Sequence, residues 1–328
     1  MVTRFPRRLA VVFALLASLV LAVSACSAPD EEGGEGGPIQ VNTPQGPVMI
    51  PSTPTRIVTL GSQWIDTALA FDVTPVAYLD QSEILTKKSS PWVGDKLERS
   101  TSLSMENMVA EIAKADPDLI LAEGFMATAQ PEMYAKIKEI APTIPGVTGK
   151  QVDPWEDLVT LFGTITNKAD KAKEITDRVN GAIDQVKTDL PGLEGKTYSL
   201  AYMYSSEQIQ VMADPSDGAG VLFGQLGLKV APKLAAAFAK NQQPRFPIST
   251  ENVPMLESDF LVVTTGNEAM HSELVKLPGY KNLSSVKDGA VANLSLAEIT
   301  GLNQPTPLAI PYLLDQLRPQ LERVANTR

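Results

Sequence analysis

His271 is the only histidine of the chain and Cys26 the only cysteine, which removes several kinds of chemistry at once. A zinc or manganese site built from several imidazoles or thiolates has too few ligands to draw on. A serine-hydrolase triad would need His271, and no Gly-x-Ser-x-Gly elbow accompanies it, so no catalytic residue is assigned. The setting Glu268-Ala269-Met270-His271-Ser272-Glu273 reads as an exposed loop or helix start, where the imidazole is either solvated or a ligand contact. Gly218-Ala219-Gly220-Val221-Leu222-Phe223-Gly224 spaces its glycines one residue too widely for a dinucleotide loop, and Lys240 stands where that motif wants an acid. The plainer reading is an Asp214-Pro215-Ser216-Asp217-Gly218 turn that opens a helix. The 38 acidic residues offer no marked pair for acid–base work. Binding chemistry remains. Trp64, Trp92 and Trp155 each stand beside turn-forming residues, so each is either core packing or part of an aromatic-lined cleft for a bulky ligand.

The elements that would position these groups alternate. Arg56-Ile57-Val58-Thr59-Leu60, Pro75-Val76-Ala77-Tyr78-Leu79 and Asp118-Leu119-Ile120-Leu121-Ala122 predict short buried strands. Helical patterns cover 64–71, 105–115 (with Ser104 as N-cap) and 131–140. Short connections between them imply parallel strands with both faces covered. Ala172, Ile175, Val179, Ile183, Val186 and Leu190 then recur at spacings of three and four, predicting one helix over 167–190 with Asn167 as its cap. About 24 residues at ~1.5 Å each make a rod of about 36 Å, stopped by Pro191-Gly192. Strand patterns restart at 198–204, 260–265 and 290–294, and a closing helix follows Pro305. The expected fold is therefore α/β: two Rossmann-like α/β lobes joined by one long backbone helix, with a ligand cleft between them.

The beginning of the chain is of another kind. Arg4, Arg7 and Arg8 precede an apolar run over 9–23 that ends in Val23-Ser24-Ala25-Cys26, the layout of a secretory signal peptide. The run is shorter than the roughly 20 residues of a spanning helix. Its small-small-Cys ending resembles the lipobox of bacterial lipoproteins, in which the cysteine becomes the lipid-modified first residue. Residues 27–38 hold four acids and four glycines, too polar and flexible to pack. The division expected is a signal peptide at 1–25, a lipid-anchored tether at 26–38, a lobe at 39–166, the bridging helix at 167–190 and a second lobe at 191–328. Without the three signal arginines the formal net charge goes from −10 to −13, a surface with no general attraction for nucleic acid or anionic lipid.

Several segments in order resemble one family. Pro54-Thr55-Arg56-Ile57-Val58-Thr59-Leu60 leads to Ala70-Phe71-Asp72-Val73-Thr74-Pro75-Val76, with Asp72 in place of the usual glycine. Ser104-Met105-Glu106-Asn107 leads to Asp116-Pro117-Asp118-Leu119-Ile120-Leu121, followed by Ile140-Ala141-Pro142-Thr143. Val286-Lys287-Asp288-Gly289-Ala290-Val291 and Pro307-Leu308-Ala309-Ile310-Pro311-Tyr312 close the series. Together they resemble the extracytoplasmic substrate-binding lipoproteins of ABC importers for iron–siderophores, haem and vitamin B12. The resemblance implies a monomeric, non-enzymatic receptor, lipid-anchored to the outer face of the cell membrane, that hands a ferric siderophore to an ABC permease dimer. Haem or cobalamin is the alternative ligand, and a surface esterase acting on siderophores a further one. Iron would be held by the siderophore's oxygens, so no cofactor or metal site of the protein's own is implied. Glu106 and Glu251 match the family's two permease-docking glutamates. Arg245, Phe125 and the 298–304 loop with Asn303 match cleft-facing positions. Trp64, Trp92 and Tyr204 follow strands, as switch-point sites in α/β sheets do. Trp155 joins them as an aromatic candidate, and Arg99 lies about one residue from a cleft arginine of some siderophore binders.

Acylation at Cys26 has a direct check. Cys26→Ala should release the protein from membranes or block its processing; an unchanged membrane fraction with unchanged mass removes the lipobox reading.

Overall fold

The computed structural model describes residues 37–327. The signal peptide, Cys26 and all but the last two residues of the tether lie outside them. An antiparallel hairpin comes first, β1 (Ile39–Thr43) with β2 (Gly46–Ile50), and it adds Val41 and Ile50 to the main core.

Five strands follow: β3 (Ile57–Leu60), β4 (Ala77–Leu79), β5 (Thr101–Ser102), β6 (Leu119–Ala122) and β7 (Thr143–Pro145). They form one parallel sheet in the order β5-β4-β3-β6-β7. A parallel sheet covered on both faces needs apolar residues at every position, and β3 and β6 are buried throughout. Successive side chains alternate between two cores. Ile57, Leu119 and Leu121 face the larger one, whereas Val58, Leu60 and Ile120 pack with Met108, Ile112 and Ile137.

The second sheet is mixed. β8 (Thr197–Met203), β9 (Gln208–Met212), β10 (Lys229–Val230), β11 (Arg245–Ser249), β12 (Phe260–Thr265) and β13 (Val291–Asn293) run in the order β11-β9-β8-β12-β13, with β10 beside the start of β8. β8, β12 and β13, the strands expected from the sequence, are parallel; β9 and β11, for which no strand was expected, are antiparallel to their neighbours.

The helix Ala169–Asp189 lies between the sheets in sequence, 21 residues and about 31 Å long. Ala172, Ile175, Val179, Ile183 and Val186 are all buried, the stripe read from the sequence. They share one continuous core with the helix Trp155–Ile165 of the first lobe and the helix Ala309–Asn326 of the second. Two boundaries differ from expectation. Asn167 does not cap the long helix; it sits at φ 54, ending the helix before it. There Lys168 N–H donates to the Gly163 carbonyl at 2.7 Å and Asn167 N–H to that of Thr164 at 3.3 Å, a left-handed C-terminal motif that reverses the chain. Gly163 permits the close crossing, since a Cβ there would stand 2.6 Å from that of Ala172. The helix expected from 105 begins at Met108, because Ser104 and Glu111 tie 104–106 into a turn. Asp72, where the family pattern has glycine, adopts φ 60.

One core in two lobes predicts one unfolding event. Ile175→Ala should cost about 2–5 kcal/mol. Its urea transition should coincide by tryptophan emission, which reports the first lobe, and by circular dichroism, which reports both; separated transitions would show two independent units.

Candidate functional site

A cleft of about 910 Å³ opens between the lobes. Its first wall is the segment 150–156, leaving β7 and entering the helix Trp155–Ile165. The facing wall combines the 214–218 turn, Arg245 at the start of β11, and Thr300, Asn303, Gln304 and Pro305 from the end of the helix Leu296–Asn303 and the loop after it.

Local chemistry shapes the second wall. Asp214 Oδ1 accepts from the Ser216 N–H at 2.8 Å and its hydroxyl at 2.7 Å, closing the turn. Asp217 caps the helix Gly218–Gln225, accepting from Gly218 N–H at 2.7 Å. The same carboxylate takes a two-pronged contact from Arg245, Nε to Oδ2 at 2.8 Å and Nη2 to Oδ1 at 2.9 Å. Asn303 Oδ1 and Gln304 Oε1 are buried and have no hydrogen-bond partner.

Behind the cleft, buried polar groups join the lobes. Gln63 Nε2 donates to the Asp153 carbonyl at 2.9 Å and to that of Pro305 at 3.3 Å, while its Oε1 accepts from Asp153 N–H at 3.1 Å. Asp66 Oδ2 accepts from Trp92 Nε1 at 2.7 Å and from the Thr306 hydroxyl of the second lobe. Burial pushes the Asp66 carboxyl up to about 7, against the pull of those two hydrogen bonds. Glu123 fills the space left by the missing side chain of Gly61, where a Cβ would be 2.1 Å from its carboxyl carbon. The backbone N–H groups of Gln63 and Ser62 point to this carboxyl and pull its pKa down, though less than burial raises it. Burial pushes this acid up to about 8, with Asp80 and Asp153 adding to the rise.

Arg245, Asn303 and Trp155 thus meet in one cleft. The other candidates stand elsewhere. Trp64 is a core residue, 1% exposed, its indole N–H donating to the Ala122 carbonyl at 2.9 Å. Trp92 belongs to the seam, bonded to Asp66 and packed on the Tyr312 ring at 5.6 Å. Arg99 is exposed in the 91–100 turns. Phe125 lines a separate cavity of about 270 Å³ in the first lobe, with Leu60, Ile84 and Met105. Tyr204 follows the end of β8, its hydroxyl bonded to Gln208. It points away from the cleft for a topological reason. Ile209 pairs with Met203 at the end of β8 and Met212 with Leu200 in its middle, so β9 carries the chain back toward the start of β8, and Arg245, paired with Met212, enters from that side. Glu106 and Glu251 are exposed, one on each lobe. His271 is half-buried in the helix Glu268–Leu274, outside the cleft lining. Among the described residues no group of three or more His, Cys, Asp or Glu could hold a metal ion. Sequence reasoning missed Lys150, Glu156 and the partnership of Asp217 with Arg245; only the turn around Asp217 had a local signal.

A family model described as periplasmic binding protein matches residues 69–295. The probable siderophore-binding lipoprotein YfiY of Bacillus subtilis (strain 168) is 28% identical over 283 residues, covering 82% of this chain and 82% of that one. The Fe(3+)-citrate-binding protein YfmC of the same organism is 26% identical over 296 residues, covering 88% and 89%. A crystal structure of a periplasmic solute binding protein from Mycobacterium smegmatis superposes with a TM-score of 0.73 at 26% identity, over 88% of this chain and 99% of that one.

The buried acids make stability depend on pH. Glu123 holds its proton in the folded chain up to about 8 but would release it near 4.5 when unfolded. Its contribution is therefore fully present below pH ~4.5 and is lost as pH rises through ~8. Chemical denaturation at pH 6 and pH 9 should show this decline. Glu123→Gln should flatten it and be the more stable protein at pH 9 by about 1 kcal/mol or more; an unaltered slope would mean that the acid ionises without cost.

Proposed function

Because the chain belongs to the periplasmic binding protein family, we propose that it captures a ferric siderophore outside the cytoplasm and delivers it to an ABC permease. It is a binding protein and not an enzyme. The observation that carries the reading is the cleft itself. Its volume of about 910 Å³ falls in the range of ~300–1,000 Å³ that takes a compact organic ligand. Its walls come from both lobes and combine the exposed Val221 side chain with the side-chain amides of Gln225, Asn303 and Gln304, backed by the buried Trp155 ring. Iron arrives as cargo, wrapped in the oxygens of its chelator, and the protein grips the chelator.

Around this site the remaining assignments follow. Residues 1–25 direct export, Cys26 carries the lipid, and 26–38 give the domain reach from the membrane; a relative described as a siderophore-binding lipoprotein supports this part. The lobes at 39–166 and 191–328 are held by the 167–190 segment. Glu106 and Glu251 dock on arginines of the permease dimer, a role their exposure on separate lobes allows. The receptor acts as a monomer.

Fluorescence titration tests the reading. A ferric siderophore should quench tryptophan emission saturably at sub-micromolar concentration, equivalent to about −8 kcal/mol or stronger. Circular dichroism should barely change, because the helical rod stays intact. Quenching by haem or cobalamin with no response to ferric siderophores would replace the substrate and keep the transport role.

A further inference from the structure

The cleft is poor in usable positive charge. Its lining holds two cations, Lys150 and Arg245, against four carboxylates, Asp153, Glu156, Asp214 and Asp217. Lys150 is exposed at the rim. Arg245 is engaged: both prongs of its guanidinium meet Asp217, whose side chain is only 11% exposed beneath it, against 43% for the arginine. Asp217 is also fixed from below by its cap on Gly218.

Asp217 takes two of the five guanidinium N–H groups of Arg245 and offsets its charge, so a polyanionic chelate reaching the others meets a neutral pair and gains the full cation only by drawing it off this partner. The carboxylate would then remain in a partly desolvated site, facing the incoming negative charge, which is costly.

Building on the siderophore reading, we infer that Asp217 is the specificity-determining residue of the cleft: by neutralising Arg245 it selects ferric chelates of zero or positive net charge, such as tris-hydroxamates bearing amide N–H or ammonium groups, over anionic polycarboxylate chelates. The citrate ligand in the description of one relative therefore does not carry over to this chain.

The test compares ratios. Wild type, Asp217→Asn and Arg245→Gln are titrated with ferrioxamine B (one free ammonium), ferrichrome (neutral) and ferric citrate in excess citrate, followed by tryptophan quenching at low and high salt. Wild type should prefer a hydroxamate to ferric citrate by at least tenfold. Asp217→Asn keeps a competent helix cap and frees the guanidinium, so it should narrow the ratio at least tenfold through a gain for citrate that high salt reverses. Arg245→Gln leaves Asp217 unopposed and should widen the ratio, which keeps the inference testable if Asp217→Asn folds poorly. Equal or tighter citrate binding by wild type overturns it, as does a ratio that neither variant moves. If no ferric chelate quenches the wild-type protein, the siderophore reading falls and takes this inference with it.

Discussion

The buried stripe of the helix Ala169–Asp189 is the constraint on which the rest depends. Five apolar residues on one face of a single rod belong to a core that continues into both sheets. Neither lobe can bury its share of that surface alone, so forming one helps to form the other. The fit is close where the rod begins, with Gly163 against Ala172, and is fastened where it ends, with Arg318 Nη2 on Asp189 Oδ2 at 2.6 Å. A cleft between two bodies joined in this way keeps its width without ligand, which lowers the ordering cost of binding.

The second layer of order is polar. Gln63 and Asp66 sit on the short helix Ser62–Ala70 of the first lobe, one helical turn apart, and both reach the 305–306 segment of the second. Hydrogen bonds among buried groups are directional where apolar contact is not, so they set how the two lobes face each other across the cleft. Thr306 passes the constraint on. Its hydroxyl also accepts from Ala309 N–H at 2.9 Å, at the start of the C-terminal helix that packs on the rod.

Much of the frame was legible because its signals are local. β12 was read to the residue, and the rod's stripe from Ala172 to Val186, since strand and helix periods are written along the chain. The helix Trp155–Ile165 carries a local signal too, with Leu158, Val159, Phe162 and Ile165 at helical spacing, but Pro154 beside Trp155 at its start is a turn signal that competes with it. β11 hid for another reason. Pro247 argues against a strand in a sheet interior, yet β11 is an edge, where proline is tolerated. The site was harder. Trp64 follows Gly61 like a loop residue, and only the fold reveals an acceptor for its indole on β6. Asp217 and Arg245 are 28 residues apart and meet because β9 and β11 pair antiparallel, which no spacing rule encodes.

The formal charge of the chain assumes that every carboxyl has lost its proton, and the folded protein does not comply. With Glu123 near 8 and Asp66 near 7, the native state at neutral pH retains about one to two protons that the unfolded chain releases. Folding is thus coupled to proton uptake from the medium. The heat measured for unfolding must then include the ionisation heat of whichever buffer accepts those protons, and will differ between phosphate and Tris at the same pH and temperature. A calorimetric enthalpy for this protein is a property of the protein and its buffer together.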